Sequence, residues 1–242
     1  MLYLIGLGLN AKGISVEGME IAKRCKRVYI ETYTVNYPYP FTSIEHVLGK
    51  DVEPLNREKV EGLEFLEHAR KSDVALLVYG SPLMATTHIT IIDEAEKSDI
   101  KVEVIHAGSV FDSVSETGLQ LYKFGKVASM PTWQPDKGFT PDSFMEILKE
   151  NQSIDAHSLI LIDIGLDIQD ALDQLEQSAK NHKIKLDKLV LCQQLGEKKQ
   201  KIFYKTFKEL KKEFTGVRKP YCLIIPAQKL HHMEQEYLEK FS

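Results

Sequence analysis

The stretch LLVYGSPLMATTH, residues 76–88, decides how the rest of the chain is read. An apolar run ends in Gly80. Ser81, Pro82, Leu83, Met84, Ala85, two threonines and His88 follow. A short buried strand that stops at glycine and restarts on a helical pattern is the strand-to-helix turn of an α/β unit. The same kind of turn, at a strand end, is where such folds shape their backbone around a ligand.

Working outward, short apolar runs alternate with helical patterns almost throughout. Strands are expected at 2–9, 27–34, 51–55, 74–79, 102–106, 126–130, 159–164, 188–193 and 221–226. Helices are expected near 16–25, 59–71, 86–97, 109–123, 141–151, 168–181, 198–213 and 232–241. This alternation predicts an α/β fold with largely parallel strand pairing. Ser15 is the expected cap of the first helix, and Thr140 followed by Pro141 reads as a cap and first turn. The one long irregular stretch is PTWQPDKGF at 131–139, whose Trp133 makes it a candidate lid.

The chain has 242 residues, enough for one large domain or two small ones. At 43% hydrophobic it can build a sizeable core. A net charge of -4 points to neither nucleic acid nor membrane. Cys25, Cys192 and Cys222 are far apart and form no C-x-x-C, which argues against a disulfide framework or a cysteine zinc site and for a reducing, cytoplasmic setting. MLYLIGLGLN at the start has no preceding positive charge and no cleavage pattern, so it reads as a strand. No apolar run approaches the roughly 18 residues that a membrane span needs. Residues 198–219 carry nine Lys/Arg and two Glu, a local +7 in an acidic chain. Phe203, Phe207, Leu210 and Phe214 give the same segment one apolar face at helical spacing. The plain reading is a solvated face; the functional one is a docking patch for an acidic or phosphate-bearing partner.

Three motifs invite chemistry. IGLGLNAKG places Gly6, Gly8 and Gly13 after a strand, with Ala11 able to fill the third place of a dinucleotide fingerprint and Glu31 at the next strand end. Ser15 caps its helix several residues too late for that fingerprint. Ser81 follows a glycine as a hydrolase nucleophile would, but Pro82 removes the N–H that an oxyanion hole needs. The eight histidines are scattered, and none has metal-ligand spacing with its neighbours, so no metal is expected.

Taken together, YLIGLGL near the N-terminus, GSPLMATTH at 80–88, VIHAGSVFDSV at 104–114 and TGLQLYKFGK at 117–126 resemble the diphthine synthases. These belong to the tetrapyrrole methylase superfamily of S-adenosylmethionine-dependent methyltransferases. LILIDIG at 159–165 and YCLIIPAQKLHHMEQEYL at 221–238 extend the resemblance along nearly the whole chain. The first motif is common to the superfamily, whereas A-T-T-H and Y-K-F-G-K are far more specific.

The resemblance implies two α/β domains of the tetrapyrrole methylase type, 1–108 and 109–242, with S-adenosylmethionine held in the cleft between them and S-adenosylhomocysteine as product. It places the cofactor contacts on Leu9, Ser81, Met84, Ser109, Val110, Ile162, Leu195 and Tyr221. Leu195 and Tyr221 rest on the looser part of the alignment. Leu9, Val110 and Ile162 would be apolar in any α/β core. The family has Gly-Asp-Pro where this chain has Gly80-Ser81-Pro82, so a carboxylate is missing. The family has proline where Gly108 stands, which loosens the turn before Ser109.

The implied substrate is a modified histidine of elongation factor 2 whose aminocarboxypropyl amine is methylated repeatedly on the way to diphthamide. Archaeal relatives stop at three methyl groups and eukaryotic ones add a fourth to a carboxylate. No metal and no nucleic acid are implied, and a homodimer is. The resemblance names no catalytic base; His88 is conceivable and reads better as structural. Competing readings are a relative acting on ribosomal RNA or a tetrapyrrole, a cofactor-binding sensor of weak activity, and a nicotinamide oxidoreductase.

Overall fold

The computed structural model describes all residues, 1–242. The chain divides into two compact units, Met1–Ser113 and Val114–Ser242.

The first unit is built on β1 (Leu2–Gly6), β2 (Arg27–Glu31), β3 (Glu53–Leu55), β4 (Val74–Val78) and β5 (Val102–Ile105). Their order is β3-β2-β4-β1-β5, and every pair is parallel. Parallel sheets need crossovers, and these bury both faces. Helices α1 (Val16–Arg24) and α2 (Phe41–Leu48) supply one cover, with Ile21, Ala22, Ile44 and Leu48 packed on Tyr3, Ile5, Ala75 and Leu77. The other cover comes from α3 (Arg57–Glu61), α4 (Leu66–Ala69) and α5 (Ile89–Lys97). Val60, Leu66, Ala69, Ile91 and Ala95 there meet Leu2, Leu4, Leu76 and Val78. Alternate residues of β1 thus serve opposite cores. Ser15 caps α1 as expected, its hydroxyl accepting the Gly18 N–H at 3.0 Å. The short α6 (Val110–Ser113) ends the unit.

The second unit carries β6 (Ala128–Met130), β7 (Ser158–Ile162), β8 (Lys188–Gln193), β9 (Lys201–Thr206) and β10 (Tyr221–Ile225), ordered β6-β7-β10-β8-β9. Only β6 and β7 are parallel; the other three pairs are antiparallel, so parallel pairing holds for the first sheet and not for the second. One face is covered by α7 (Phe144–Ser153), α8 (Ile168–His182) and α9 (Phe207–Glu213). Helix α10 (His232–Leu238) comes last. Its Leu238 is fully buried.

Several expected elements change. The helix expected at 198–213 is a strand over 201–206 followed by α9, with Thr206 forming a capping box with Glu209. Phe203 still reaches Phe214, ring centroids 4.7 Å apart, because strand and helix fold back on one another. The helix expected at 109–123 is broken into short turns, since Gly118 takes φ 82°. The helix near 59–71 splits into α3 and α4 around Leu63, which has φ 59°. Helix α7 starts at Phe144, past Thr140 and Pro141. Helix α2 is an addition. No helix is long and apolar enough to cross a membrane.

Candidate functional site

Three loops converge at the carboxyl ends of β1, β4 and β5. Gly6 closes β1, and a Cβ there would lie 2.7 Å from the Gly80 carbonyl oxygen and 2.9 Å from the Ala107 Cβ. Only glycine lets the flanking loops close so tightly over that strand end. Gly8 donates its N–H to the Gly80 carbonyl at 3.1 Å, and Gly80 returns the bond at 3.0 Å. Both have positive φ, 67° and 71°. The Tyr79 hydroxyl donates to the Leu9 carbonyl at 3.0 Å. Leu9, Ser81 and Ser109 are thereby brought together, and all three are buried. Met84 is exposed and Val110 half-buried.

The 80–88 turn explains its own sequence. Ala85 takes φ 55°, a left-handed conformation that a small side chain tolerates better than a branched one. The Thr86 hydroxyl donates to the Pro82 carbonyl at 3.1 Å. The His88 Nδ1 meets the same carbonyl at 2.9 Å, and since a carbonyl only accepts, Nδ1 carries the proton. Nε2 then accepts from the Tyr33 hydroxyl at 3.3 Å. Both ring nitrogens of this buried histidine are occupied. His88 shapes the turn and has no lone pair left for proton abstraction.

The dinucleotide reading fails at Glu31. Its fully buried carboxylate accepts the N–H groups of Tyr33 and Thr34, each at 3.0 Å, and the Thr34 hydroxyl. It ties off a strand end and is not presented to a ribose.

Ser109 is also locally engaged. Its N–H and hydroxyl both donate to Asp112 Oδ1 at 2.7 Å, while its oxygen accepts the Phe111 N–H at 3.2 Å. Gly108 has a Cβ direction limited only by Asp112 Oδ2 at 3.3 Å. Ser81 differs from Ser109: its Oγ lies 3.2 Å from His106 Nδ1. Sequence spacing leaves His106 an isolated histidine. The sheet order supplies the missing signal, because β4 and β5 flank β1 and bring their loops together above it.

The other three expected residues lie at one end of the second sheet. Ile162 ends β7, Tyr221 opens β10 opposite Gln193, and Leu195 follows β8 between Gln194 at φ 51° and Gly196 at φ 81°. The Tyr221 hydroxyl donates to the Leu166 carbonyl at 3.1 Å. Burial, reinforced by Asp167 and Asp170, pushes that phenol well above its ordinary range. The 131–139 stretch is folded on itself. Gln134 and Phe139 pair, Trp133 donates its N–H to Gln174 and its indole N–H to the Pro141 carbonyl at 2.9 Å.

The segment 117–126 meets α10 through a buried carboxylate that sequence reading missed. Glu234 is fully buried. Its Oε1 accepts the Gln120 N–H at 3.0 Å and the His157 Nε2–H at 3.0 Å. Its Oε2 accepts the His231 N–H at 2.9 Å and faces the Lys123 ammonium at 3.4 Å. The His157 Nδ1 accepts the Ala227 N–H, which fixes the ring as the neutral Nε2–H tautomer. Burial accordingly holds His157 below its ordinary pKa. A Cβ on Gly118 would strike the Tyr237 ring at 2.5 Å, and one on Gly125 would overlap the Asn151 side chain. Y-K-F-G-K, one of the two more family-specific motifs, therefore does structural work in this unit.

Comparison with known proteins agrees with this architecture. The family profile for Tetrapyrrole (Corrin/Porphyrin) Methylases matches residues 1–211. A protein of Methanocaldococcus jannaschii named "Diphthine synthase" is 36% identical, with 99% of this chain and 98% of that protein covered. A human protein named "Diphthine methyl ester synthase" is 34% identical over 100% of this chain and 95% of its own length. A solved structure described as diphthine synthase superposes with a TM-score of 0.89 at 31% identity, covering all of this chain and 95% of the other. The chain belongs to the tetrapyrrole methylase family, in its diphthine synthase branch.

Proposed function

We propose that this protein transfers methyl groups from S-adenosylmethionine to the amine of an aminocarboxypropyl-modified histidine of elongation factor 2, in diphthamide biosynthesis. The observation that carries this reading is the end-to-end likeness to proteins named diphthine synthase. The loop convergence at the carboxyl ends of β1, β4 and β5 supports it, since open α/β sheets bind ligands there.

The residues present fit the cofactor. In the first unit Leu9, Met84 and Val110 offer apolar surface for an adenine and a thioether, and Ser81 offers a buried hydroxyl. Gly80 approaches without a side chain. When bound, the cofactor supplies an activated methyl group on a sulfonium. The chain contributes position: its backbone-lined loops hold the two reactants in register. The accepting amine must be uncharged, and because His88 has both nitrogens occupied we assign the departing proton to solvent. S-adenosylhomocysteine leaves as product. We further propose a cytoplasmic homodimer, with elongation factor 2 as its protein partner and no nucleic acid or membrane ligand.

Titration calorimetry tests the cofactor first. Binding of S-adenosylmethionine and S-adenosylhomocysteine without binding of NADH is expected; binding of NADH alone overturns the reading. Mass spectrometry of elongation factor 2 carrying the aminocarboxypropyl histidine then counts the methyl groups added.

A further inference from the structure

By the resemblance, Ser81 stands where the family pattern Gly-Asp-Pro has a carboxylate. A carboxylate only accepts hydrogen bonds, whereas a free serine hydroxyl can turn to donate as well. The Ser81 Oγ is 3.2 Å from Nδ1 of His106, the first residue after β5. Ser81 is buried, while the His106 ring is exposed. An exposed imidazole is free to keep its proton on Nε2, in water. Nδ1 is then a bare acceptor, and the Ser81 proton points to it. This leaves both lone pairs of the Ser81 oxygen directed away from the histidine.

We propose that His106 is a positioning residue of the cofactor site: by accepting a hydrogen bond from the Ser81 hydroxyl it turns that oxygen's lone pairs toward the ligand as acceptors. The proposal rests on the methyltransferase reading above. It concerns a residue that reaches the ligand only through Ser81. The ligand group it serves is a donor, an ammonium or a hydroxyl, such as S-adenosylmethionine carries at its methionine and ribose ends. The opposite tautomer would reverse the arrangement, with the ring donating and Ser81 left free to donate to the ligand.

Two measurements on the full chain test this. Nitrogen-detected NMR of the ligand-free protein reads the His106 tautomer directly, with Nε2 protonated and Nδ1 bare as the expected result. A protonated Nδ1 in the neutral ring overturns the proposal. Calorimetry with S-adenosylhomocysteine then compares variants. His106→Ala is expected to weaken binding about tenfold, the scale of one hydrogen bond to a charged or strongly polar group. His106→Asn, whose side-chain oxygen can sit near the Nδ1 position, restores most of it. Ser81→Ala weakens binding similarly, and the double variant Ser81→Ala/His106→Ala is no weaker than either single one. Additive losses, or His106→Ala binding as wild type does, overturn the proposal and leave the methyltransferase reading intact. A wild-type protein that binds neither S-adenosylmethionine nor its product overturns both.

Discussion

Replacing Glu234 by glutamine should destabilise the second unit by about 3–5 kcal/mol. The carboxylate is fully buried and accepts from four donors: the N–H groups of Gln120 and His231, the His157 ring and the Lys123 ammonium. A glutamine keeps one oxygen. Whichever oxygen becomes NH₂, two of the four donors then face a donor. Each buried donor left unpaired costs about 1–3 kcal/mol, and the lysine also loses its counter-charge. Hydrogen exchange across His232–Leu238 is the right assay, because it isolates this helix in a chain with two compact units. A loss of protection below about 1 kcal/mol would refute the argument that this carboxylate anchors α10.

The same residue sets a pH dependence. Burial pushes the Glu234 carboxyl up, but the backbone donors and the His157 ring outweigh it and hold it at about 2. A carboxyl with a depressed folded-state pKa stabilises fully above its unfolded value near 4.5 and loses that contribution as pH falls toward 2. His157 acts in the same direction from higher pH. Burial keeps it neutral in the folded protein, so stability declines as pH drops below 6.5, its ordinary value. Acid unfolding should therefore begin near pH 6.5 and steepen below 4.5, and the gap between wild type and Glu234→Gln should narrow only in the lower range.

Three further outcomes are expected. Gly125→Ala should cost at least 1–3 kcal/mol, since the new methyl overlaps the Asn151 side chain that bonds Lys126 on both its N–H and its carbonyl; urea unfolding measures it. His88→Leu should lower S-adenosylmethionine affinity about tenfold by calorimetry while the fold persists, because it releases the Pro82 carbonyl and the Tyr33 hydroxyl together. Charge reversal at Lys205, Lys208 and Lys212 should slow methylation of elongation factor 2 with cofactor affinity unchanged. Lys211 and Lys219 are already paired with Asp173, Glu176 and Asp167, so the unpaired cations of this segment are the ones to reverse.

Most strands were legible because the runs at 2–6, 74–78 and 221–225 are unbroken apolar stretches bounded by punctuation residues. The second sheet's antiparallel pairing was not, since direction is set by connections rather than by any strand's own sequence. Residues 201–206 misled for a physical reason: Phe203, Phe207, Leu210 and Phe214 fall at helical spacing, yet Ile202, Phe203, Tyr204 and Thr206 are β-branched or aromatic residues that favour a strand. The hydrogen bonds to β8 decided between the two. Helix α2 was hidden by Pro38 and Pro40 just before it. The loops of the candidate site were marked by Gly6, Gly8 and Gly80. His106 and Glu234 were not, because Ser81 lies 25 residues from His106 and, apart from the local His231 N–H, the partners of Glu234 lie 77 or more residues away and meet it only through the fold.

The clamp on the 80–88 turn has a consequence for transplantation. Tyr33 reaches His88 across 55 residues, and Glu31 fixes the segment from which Tyr33 projects. A designer who moves Gly80-Ser81-Pro82-Leu83-Met84 into another scaffold would carry the words without the grammar. The end of β2 must travel with it, or the turn will relax into whatever shape its new neighbours allow.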